Sequence, residues 1–210
     1  MDFNYSQIFL PTFAIAFWVA YFLTFGKVEG KLDKSITAEY GKTRLAFILN
    51  NVLGTIAFAL WAIVTVIYCF HYESVNWFGK ISPLDNDGVK IFAIAIMCLA
   101  FLLNALFELS VGKSIEIAVP KGEKPKLVTS GIYRYVRNPC YLALSIAVFG
   151  TFLIIPNILT LALSLVVIAI LYIGTLEEEK ILLKMYGEEY ERYRNYVGMF
   201  LPKLRVRRKQ

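Results

Sequence analysis

Long apolar stretches alternate with shorter polar segments along this chain of 210 residues. Three stretches have about the 17 to 25 residues that a helix needs to cross a bilayer. They cover residues 8–25, 45–70 and 89–109. A fourth apolar region, 141–176, is too long for one helix and contains the turn-forming pair Pro156 and Asn157. The pattern predicts three single spans followed by a helical hairpin, and therefore about five membrane-spanning helices.

The two ends of the hairpin region add further elements. Its first arm is predicted over 139–155, because a proline such as Pro139 suits the first turn of a helix. Beyond residue 176 the large apolar and aromatic residues recur at roughly helical spacing, which predicts a C-terminal helix. These residues are Ile181, Leu182, Met185, Tyr186, Tyr190, Tyr193 and Val197.

The basic residues are distributed very unevenly between the polar segments. The segments 26–44, 110–138 and 177–210 hold 20 of the 22 lysines and arginines, and only Lys80 and Lys90 lie elsewhere. Basic residues collect on the cytoplasmic side of a membrane protein, so the N-terminus is predicted outside and the C-terminus in the cytoplasm. The net charge of +6 is then explained by the orientation of the chain in the membrane and by attraction to anionic lipid, and nucleic-acid binding is not expected.

Composition supports a single integral membrane domain over residues 1–210. Hydrophobic residues make up 58% and charged residues 18% of the chain, which excludes an ordinary soluble domain and a disordered chain. The fold class is thus an all-α, multi-pass membrane protein, in the plasma membrane of a prokaryote or the endoplasmic reticulum of a eukaryote. The first apolar run has no basic residue before it and reads as a retained span. Cys69, Cys98 and Cys140 lack metal-ligand spacing, so no metal site is expected.

Polar residues within or beside the spans are costly and therefore informative. Asn50 and Asn51 are candidates, and Asn104 and Glu108 share one face of the third span at i, i+4. We favour interhelical hydrogen bonding with an interfacial glutamate here over a direct functional role.

Two cytoplasmic segments are richer in polar and aromatic residues than topology requires. Residues 126–141 combine a glycine turn, two arginines, several tyrosines and a proline, which suits either a juxtamembrane anchor or a binding site. Glu177, Glu178 and Glu179 stand where the last span should end, a place usually held by Lys or Arg. Three carboxylates there suit a cationic partner, or simply the solvated start of a helix.

These segments together resemble the isoprenylcysteine carboxyl methyltransferase and phospholipid methyltransferase superfamily. The resemblance covers residues 126–202 and lies in GIYRYVRNPCY at 131–141, EEKILLKMYGEEYERY from residue 178, and FLP at 200–202. Short prokaryotic members are similar five-helix proteins. The resemblance implies a cytoplasmic pocket for S-adenosylmethionine within about 112–202, covered by the loop after the third span and by the C-terminal helix.

Site residues follow from the resemblance, position by position. The residues implied to line the cofactor pocket are Leu127, Val128, Tyr133, Asn138, Pro139, Cys140 and Tyr141. Glu178 would hold a hydrogen-bond donor of the cofactor, and Lys126 is a further candidate as partner of its carboxylate. Arg137 and Glu179 are the implied catalytic residues, facing the reacting region or orienting its neighbours.

Three positions depart from the family pattern. Family members commonly have His where this chain has Asn138, and an amide cannot titrate near neutral pH. The single histidine, His71, is predicted on the outer side, so no histidine base is available at the cytoplasmic face. Either the nucleophile needs no general base, or a glutamate serves as the base. Gly174 and Met199 replace family arginines, which weakens the case for a prenylcysteine carboxylate as substrate.

The expected function is methyl transfer from S-adenosylmethionine to a lipid-like or prenylated acceptor that enters from the membrane, as in isoprenylcysteine carboxyl O-methyltransferases. Phospholipid N-methylation and small-thiol methylation are alternatives within the family. Membrane sterol reductases have a similar C-terminal region, but their NADPH favours Lys and Arg over an acidic triplet. A non-enzymatic scaffold or transporter would leave the tyrosine, arginine and acid constellation unexplained.

Overall fold

A computed structural model describes residues 8–17, 19–20, 54–70, 76–115 and 126–203. These residues form six α-helices, with 3-10 turns at Asn76–Phe78, Ser82–Leu84 and Gly131–Arg134 and no strand within the described ranges. The helices are α1 (Ile8–Phe17), α2 (Gly54–Phe70), α3 (Asp87–Ile115), α4 (Pro139–Ile154), α5 (Ile158–Tyr186) and α6 (Glu188–Tyr196). The predicted all-α class is confirmed. Asn50, Asn51, His71 and the ends of the first two predicted spans lie outside the described residues.

The predicted hairpin is present, and its turn falls at Pro156 and Asn157. Asn157 caps α5, because its side-chain oxygen accepts from the Thr160 amide at 2.8 Å while the Thr160 hydroxyl accepts from the Asn157 amide at 3.3 Å. This reciprocal capping satisfies donors that a helix start otherwise leaves open. The Ile81 amide donates to the Pro156 carbonyl at 2.8 Å, so the loop before α3 is tied to the hairpin turn.

The last span and the C-terminal helix are divided differently from the prediction. α5 does not end at residue 176 but continues through the three glutamates to Tyr186, and the predicted C-terminal helix comprises its last turns and α6. The break falls at Gly187, whose φ of +55° is readily adopted only by glycine. The continuous helix carries Glu178 and Glu179 on a rigid element directly after the apolar segment.

Two of the described helices, α3 and α5, are long and apolar enough to cross a membrane. The buried face of α5 includes small and polar residues such as Ser164, Gly174 and Thr175, whereas large apolar side chains such as Leu165 and Val166 point outward. Small residues between helices and apolar residues outside are typical of a membrane protein. The number of spans and their orientation remain predictions.

α3 packs against α4, and α4 packs against α5. A Cβ on Gly150 of α4 would lie 2.3 Å from Met97 Cγ of α3, so the glycine permits a close approach of these helices. α1 packs on α3 through Phe13 and Phe101, whose ring centroids are 6.5 Å apart. The turn Gly131–Arg134, which precedes α4, packs on α3, so the start of α4 lies beside the C-terminal end of α3.

The opposite end of the bundle, near the hairpin turn, holds the two lysines outside the basic segments. Asp85 binds both, at 2.5 Å from Lys80 Nζ and 2.8 Å from Lys90 Nζ. Partial burial acts to raise the pKa of Asp85, but the two lysines outweigh it and lower the pKa below its usual value. Asp85 thus offsets part of the positive charge of these two lysines.

Candidate active site

The turn Gly131–Arg134 lies on the C-terminal end of α3. Gly131 has a φ of +62°, and a Cβ there would be 2.2 Å from the Ser110 hydroxyl oxygen. That hydroxyl accepts a hydrogen bond from the Ile132 amide at 3.2 Å. The ring of Tyr133 lies beside Phe107, with 6.3 Å between centroids. Glycine and serine together fix the turn on the helix and direct Tyr133 to the α3 surface.

The segment just before α4 pairs with the chain beyond α6. The Arg137 amide donates to the Gly198 carbonyl at 2.9 Å, and the Asn138 amide donates to the Met199 carbonyl at 3.1 Å. A Cβ on Gly198 would lie 1.7 Å from the Leu201 carbonyl oxygen, so the tight bend there requires glycine. We name residues 197–203 the C-terminal segment. This pairing closes the site end of the bundle.

A buried ion pair joins the same elements through side chains. Arg137 donates from Nε to Glu179 Oε1 at 2.9 Å and from Nη2 to Glu179 Oε2 at 3.0 Å. Its Nη1 donates to the carbonyls of Arg194 and Val197. The side chains of Arg137 and Glu179 are only 8% and 10% exposed. One guanidinium therefore connects the α4 entry, α5, α6 and the C-terminal segment.

Asn138 belongs to this network, and its side chain makes no capping hydrogen bond to α4. Its Nδ2 donates to Glu179 Oε1 at 3.0 Å, and the residue is buried. The two implied catalytic residues thus bind each other and hold the amide that stands in place of the family histidine. Because every Arg137 nitrogen donates to a protein oxygen, the geometry is that of a positioning pair.

A second group of side chains gathers beside this network, and we name it the acidic cluster: Glu108, Tyr133, Cys140 and Glu178. The carboxylates of Glu178 and Glu108 both interact electrostatically with the Cys140 thiol. Burial raises the pKa of Tyr133 well above its usual value, and Cys140 and Glu178 act in the same direction. Its phenol is therefore a neutral hydrogen-bond donor at physiological pH, in the same cluster as Glu178.

α6 covers the turn and the acidic cluster. The Tyr193 hydroxyl donates to the Tyr133 carbonyl at 2.7 Å, and the rings of Tyr190 and Tyr193 are 6.0 Å apart. Burial raises the pKa of both tyrosines above the ordinary value, so they also remain protonated. The helical spacing had indicated these tyrosines as part of a helix, but not that they cover the site.

Asn104 and Glu108 bond to each other within α3, and the expectation of interhelical bonding is wrong for them. Asn104 Nδ2 donates to Glu108 Oε1 at 2.8 Å. Asn104 is 1% exposed, and its Oδ1 has no hydrogen-bond partner among the described residues.

The remaining residues predicted for the site make less direct contact with the ion-pair network and the acidic cluster. Pro139 is buried in the first turn of α4, and Tyr141 is half-buried against the core. Leu127 and Val128 are half-buried, whereas Lys126 is exposed. No contact within residues 126–203 joins Lys126 to the acidic cluster. Gly174 is buried, so that face of α5 presents backbone where the family pattern has an arginine.

Ser110 and the carbonyls of the C-terminal segment were not predicted as parts of the site. Ser110 directly follows the apolar stretch 89–109 and resembles any interfacial serine, and backbone carbonyls leave no sequence signal. In the sequence, the C-terminal segment was marked by the FLP motif at 200–202 and by Met199, but not by its carbonyls.

Comparisons with known proteins agree on one family. A family model described as phospholipid methyltransferase matches residues 89–189. Protein-S-isoprenylcysteine O-methyltransferase of Schizosaccharomyces pombe is 29% identical over 206 residues, which cover 88% of this chain and 86% of that protein. The enzyme of the same name from Saccharomyces cerevisiae is 25% identical over 81% of this chain and 74% of its own length. Methanethiol S-methyltransferase of Pseudomonas deceptionensis is 32% identical over 52% of this chain and 42% of its own length.

Proposed function

Because the chain belongs to the isoprenylcysteine carboxyl methyltransferase and phospholipid methyltransferase superfamily, we propose that it transfers a methyl group from S-adenosylmethionine to a lipid-like or prenylated acceptor. Relatives across this superfamily are named methyltransferases, and this chain is an enzyme of that kind. The observation that carries the proposal is the buried Arg137, Asn138 and Glu179 network beside the acidic cluster.

The residues at the site suit the chemical groups of this cofactor. S-adenosylmethionine has a sulfonium, an ammonium, a carboxylate and an adenine, so its pocket needs anions together with aromatic or apolar walls. Glu178 and Glu108 supply negative charge, and Tyr133 supplies a buried ring with a neutral hydroxyl donor. Half-buried Leu127, with Val128, supplies apolar surface. When bound, the cofactor supplies a methyl group activated by the sulfonium.

The protein's own contribution is positioning and exclusion of water. The ion pair of Arg137 and Glu179 fixes Asn138 and the start of α4 relative to α5. α6 and the C-terminal segment cover the same region. Holding two reactants in a defined geometry supplies much of the rate of a direct displacement, and a covered pocket strengthens its electrostatics.

The acceptor needs no histidine base in this site. Asn138 cannot titrate, and the buried phenols of Tyr133 and Tyr193 are held protonated. A nucleophile that arrives as an anion, either a carboxylate or a thiolate, requires no proton removal at the moment of transfer.

A thiol is the second candidate acceptor, and the arginine geometry favours it. Each nitrogen of Arg137 already donates to a protein oxygen, and Gly174 has no side chain to offer a carboxylate. A prenylcysteine carboxylate would thus lack the guanidinium partner that the family pattern supplies. One relative is named a methanethiol S-methyltransferase, which is consistent with this second candidate.

We also propose the topology that the charges predict, with five spans, the N-terminus outside and the site on the cytoplasmic face. Two observations support it: the site lies at the end of the bundle opposite the Asp85 ion pairs, and the segments beside the site carry most of the basic residues. The membrane would be the plasma membrane in a prokaryote and the endoplasmic reticulum in a eukaryote.

A methyl-transfer assay tests the function and identifies the acceptor. Protein purified in detergent is given S-adenosylmethionine with a radiolabelled methyl group and, separately, a prenylated cysteine, phosphatidylethanolamine vesicles and an alkyl thiol. A base-labile product indicates a methyl ester, whereas N-methyl and thioether products survive base. Label in one of these acceptors, lost in the Glu178→Ala variant, is the expected result. Stabilisation by NADPH without stabilisation by S-adenosylhomocysteine would instead support a reductase and overturn the proposal.

A further inference from the structure

The third helix carries a buried hydrogen-bond acceptor that no described residue uses. Asn104 is 1% exposed, and its Nδ2 donates to Glu108 Oε1 at 2.8 Å. An ionised carboxylate only accepts hydrogen bonds, so the amide must present its NH2 group to Glu108 and direct its oxygen elsewhere. That oxygen has no partner among the described residues. Buried acceptors are rarely left unpaired, so an orphan calls for an explanation.

The surroundings of this pair point to a ligand. Glu108 interacts electrostatically with the Cys140 thiol, as does Glu178 from α5. Phe107, next to Glu108 in the chain, lies beside the ring of Tyr133. The same end of α3 therefore supplies a wall of the acidic cluster, and the unpaired oxygen belongs to a helix that borders the proposed cofactor pocket.

We propose that Asn104 and Glu108 bind an ammonium group. The free amide oxygen needs a hydrogen-bond donor, and the adjacent carboxylate favours a positive charge; an ammonium supplies both, whereas a sulfonium has no hydrogen to donate. The proposal rests on the proposed function, in which two ammonium groups reach the site: that of the methyl donor, or that of a lipid amine acceptor.

Calorimetric binding to purified protein tests the proposal with two variants. Asn104→Leu removes the free acceptor at similar volume, and Glu108→Gln removes the charge while keeping an oxygen for Asn104. The probes are S-adenosylhomocysteine, its deaminated analogue that keeps the carboxylate, and a short-chain phosphatidylethanolamine. The control is Thr65→Val, which removes another buried polar group, whose hydroxyl donates to the Trp61 carbonyl within α2.

If the ammonium belongs to the methyl donor, both variants bind S-adenosylhomocysteine about 10-fold or more weakly, as expected for loss of a hydrogen bond to a charged group. The affinity of both variants for the deaminated analogue stays at the parent value. Thr65→Val changes neither the affinity for S-adenosylhomocysteine nor that for the analogue. If the ammonium belongs to the acceptor, only the affinity for phosphatidylethanolamine falls. Either pattern supports the proposal.

The thermal unfolding temperature without ligand distinguishes a ligand-binding role of Asn104 from a purely structural one. Asn104→Leu removes the unsatisfied oxygen together with the donor to Glu108, so a stabilising and a destabilising change oppose each other and the unfolding temperature should stay close to that of the parent. The proposal is overturned if both variants bind all three probes like the parent, or if they lose affinity for the deaminated analogue as much as for S-adenosylhomocysteine. A parent protein that binds neither S-adenosylhomocysteine nor the lipid amine overturns the proposed function itself.

Discussion

Removing the charge of Glu179 should destabilise the protein strongly. In Glu179→Gln the side chain keeps its volume, but the buried guanidinium of Arg137 loses its counter-charge and faces an amide that cannot accept at both positions. Breaking a buried pair by removing one partner costs about 3 to 5 kcal/mol. For a chain of this size that corresponds to a melting temperature roughly 6 to 20 °C lower.

The assay is thermal unfolding of detergent-purified protein, and α5 offers a matched control. Glu177, two residues earlier, binds Lys180 at 2.6 Å, but the Lys180 side chain is 67% exposed. Exposed pairs contribute about 0 to 1 kcal/mol, so Glu177→Gln should barely shift the transition. A Glu179→Gln protein that unfolds within a degree or two of Glu177→Gln would show that the buried ion pair does not stabilise the fold by this amount.

A double variant separates charge from packing. Arg137→Met combined with Glu179→Leu leaves no buried charge unpaired, although two backbone carbonyls lose a donor. The combined loss should therefore be smaller than the sum of the two single losses, by about 1 kcal/mol or more. Strict additivity would mean that the two side chains act independently, contrary to their bidentate geometry.

Three further changes test other parts of the structure. Gly198→Ala should displace the C-terminal segment, because its Cβ would lie 1.7 Å from a carbonyl oxygen, and limited proteolysis should then cleave near residue 198 faster than in the parent. Tyr193→Phe removes the donor to the Tyr133 carbonyl and should cost about 1 kcal/mol in thermal unfolding; no loss would argue against α6 as a cover. Asp85→Asn should destabilise at neutral pH, because buried Lys90 loses the carboxylate that lies 2.8 Å from its Nζ. Because the pKa of Asp85 is lowered in the fold, its stabilisation is complete above the unfolded pKa of about 4 and is lost as pH falls further, so the melting temperatures of parent and variant should converge in acid.

Local patterns in the sequence predicted much of the fold. The hairpin turn at Pro156 and Asn157 was predictable because proline and an Asx cap are local signals, and the structure places them in a reciprocal cap. The end of α5 could not be predicted in this way. The change from apolar to acidic residues marks the expected membrane interface, but it does not mark the end of the helix. The stop depends on the conformation of Gly187.

The residues that form the site were predictable from the sequence, but the contacts between them were not. The resemblance placed Arg137 and Glu179 together, 42 residues apart in the chain, yet only the structure shows that they bind each other. The helical spacing of Asn104 and Glu108 correctly put them on one face. It could not tell that they would bond each other and leave an amide oxygen free, because that depends on what the neighbouring helices present.

Calorimetric titration of the detergent-purified protein with S-adenosylhomocysteine tests whether the protein binds this class of cofactor. We expect saturable binding at one site, weakened about 10- to 100-fold in Glu178→Ala by loss of a charge-assisted hydrogen bond, and no comparable binding of NADPH. Absence of any binding to the parent protein, or equal binding by the Glu178→Ala variant, would contradict this expectation.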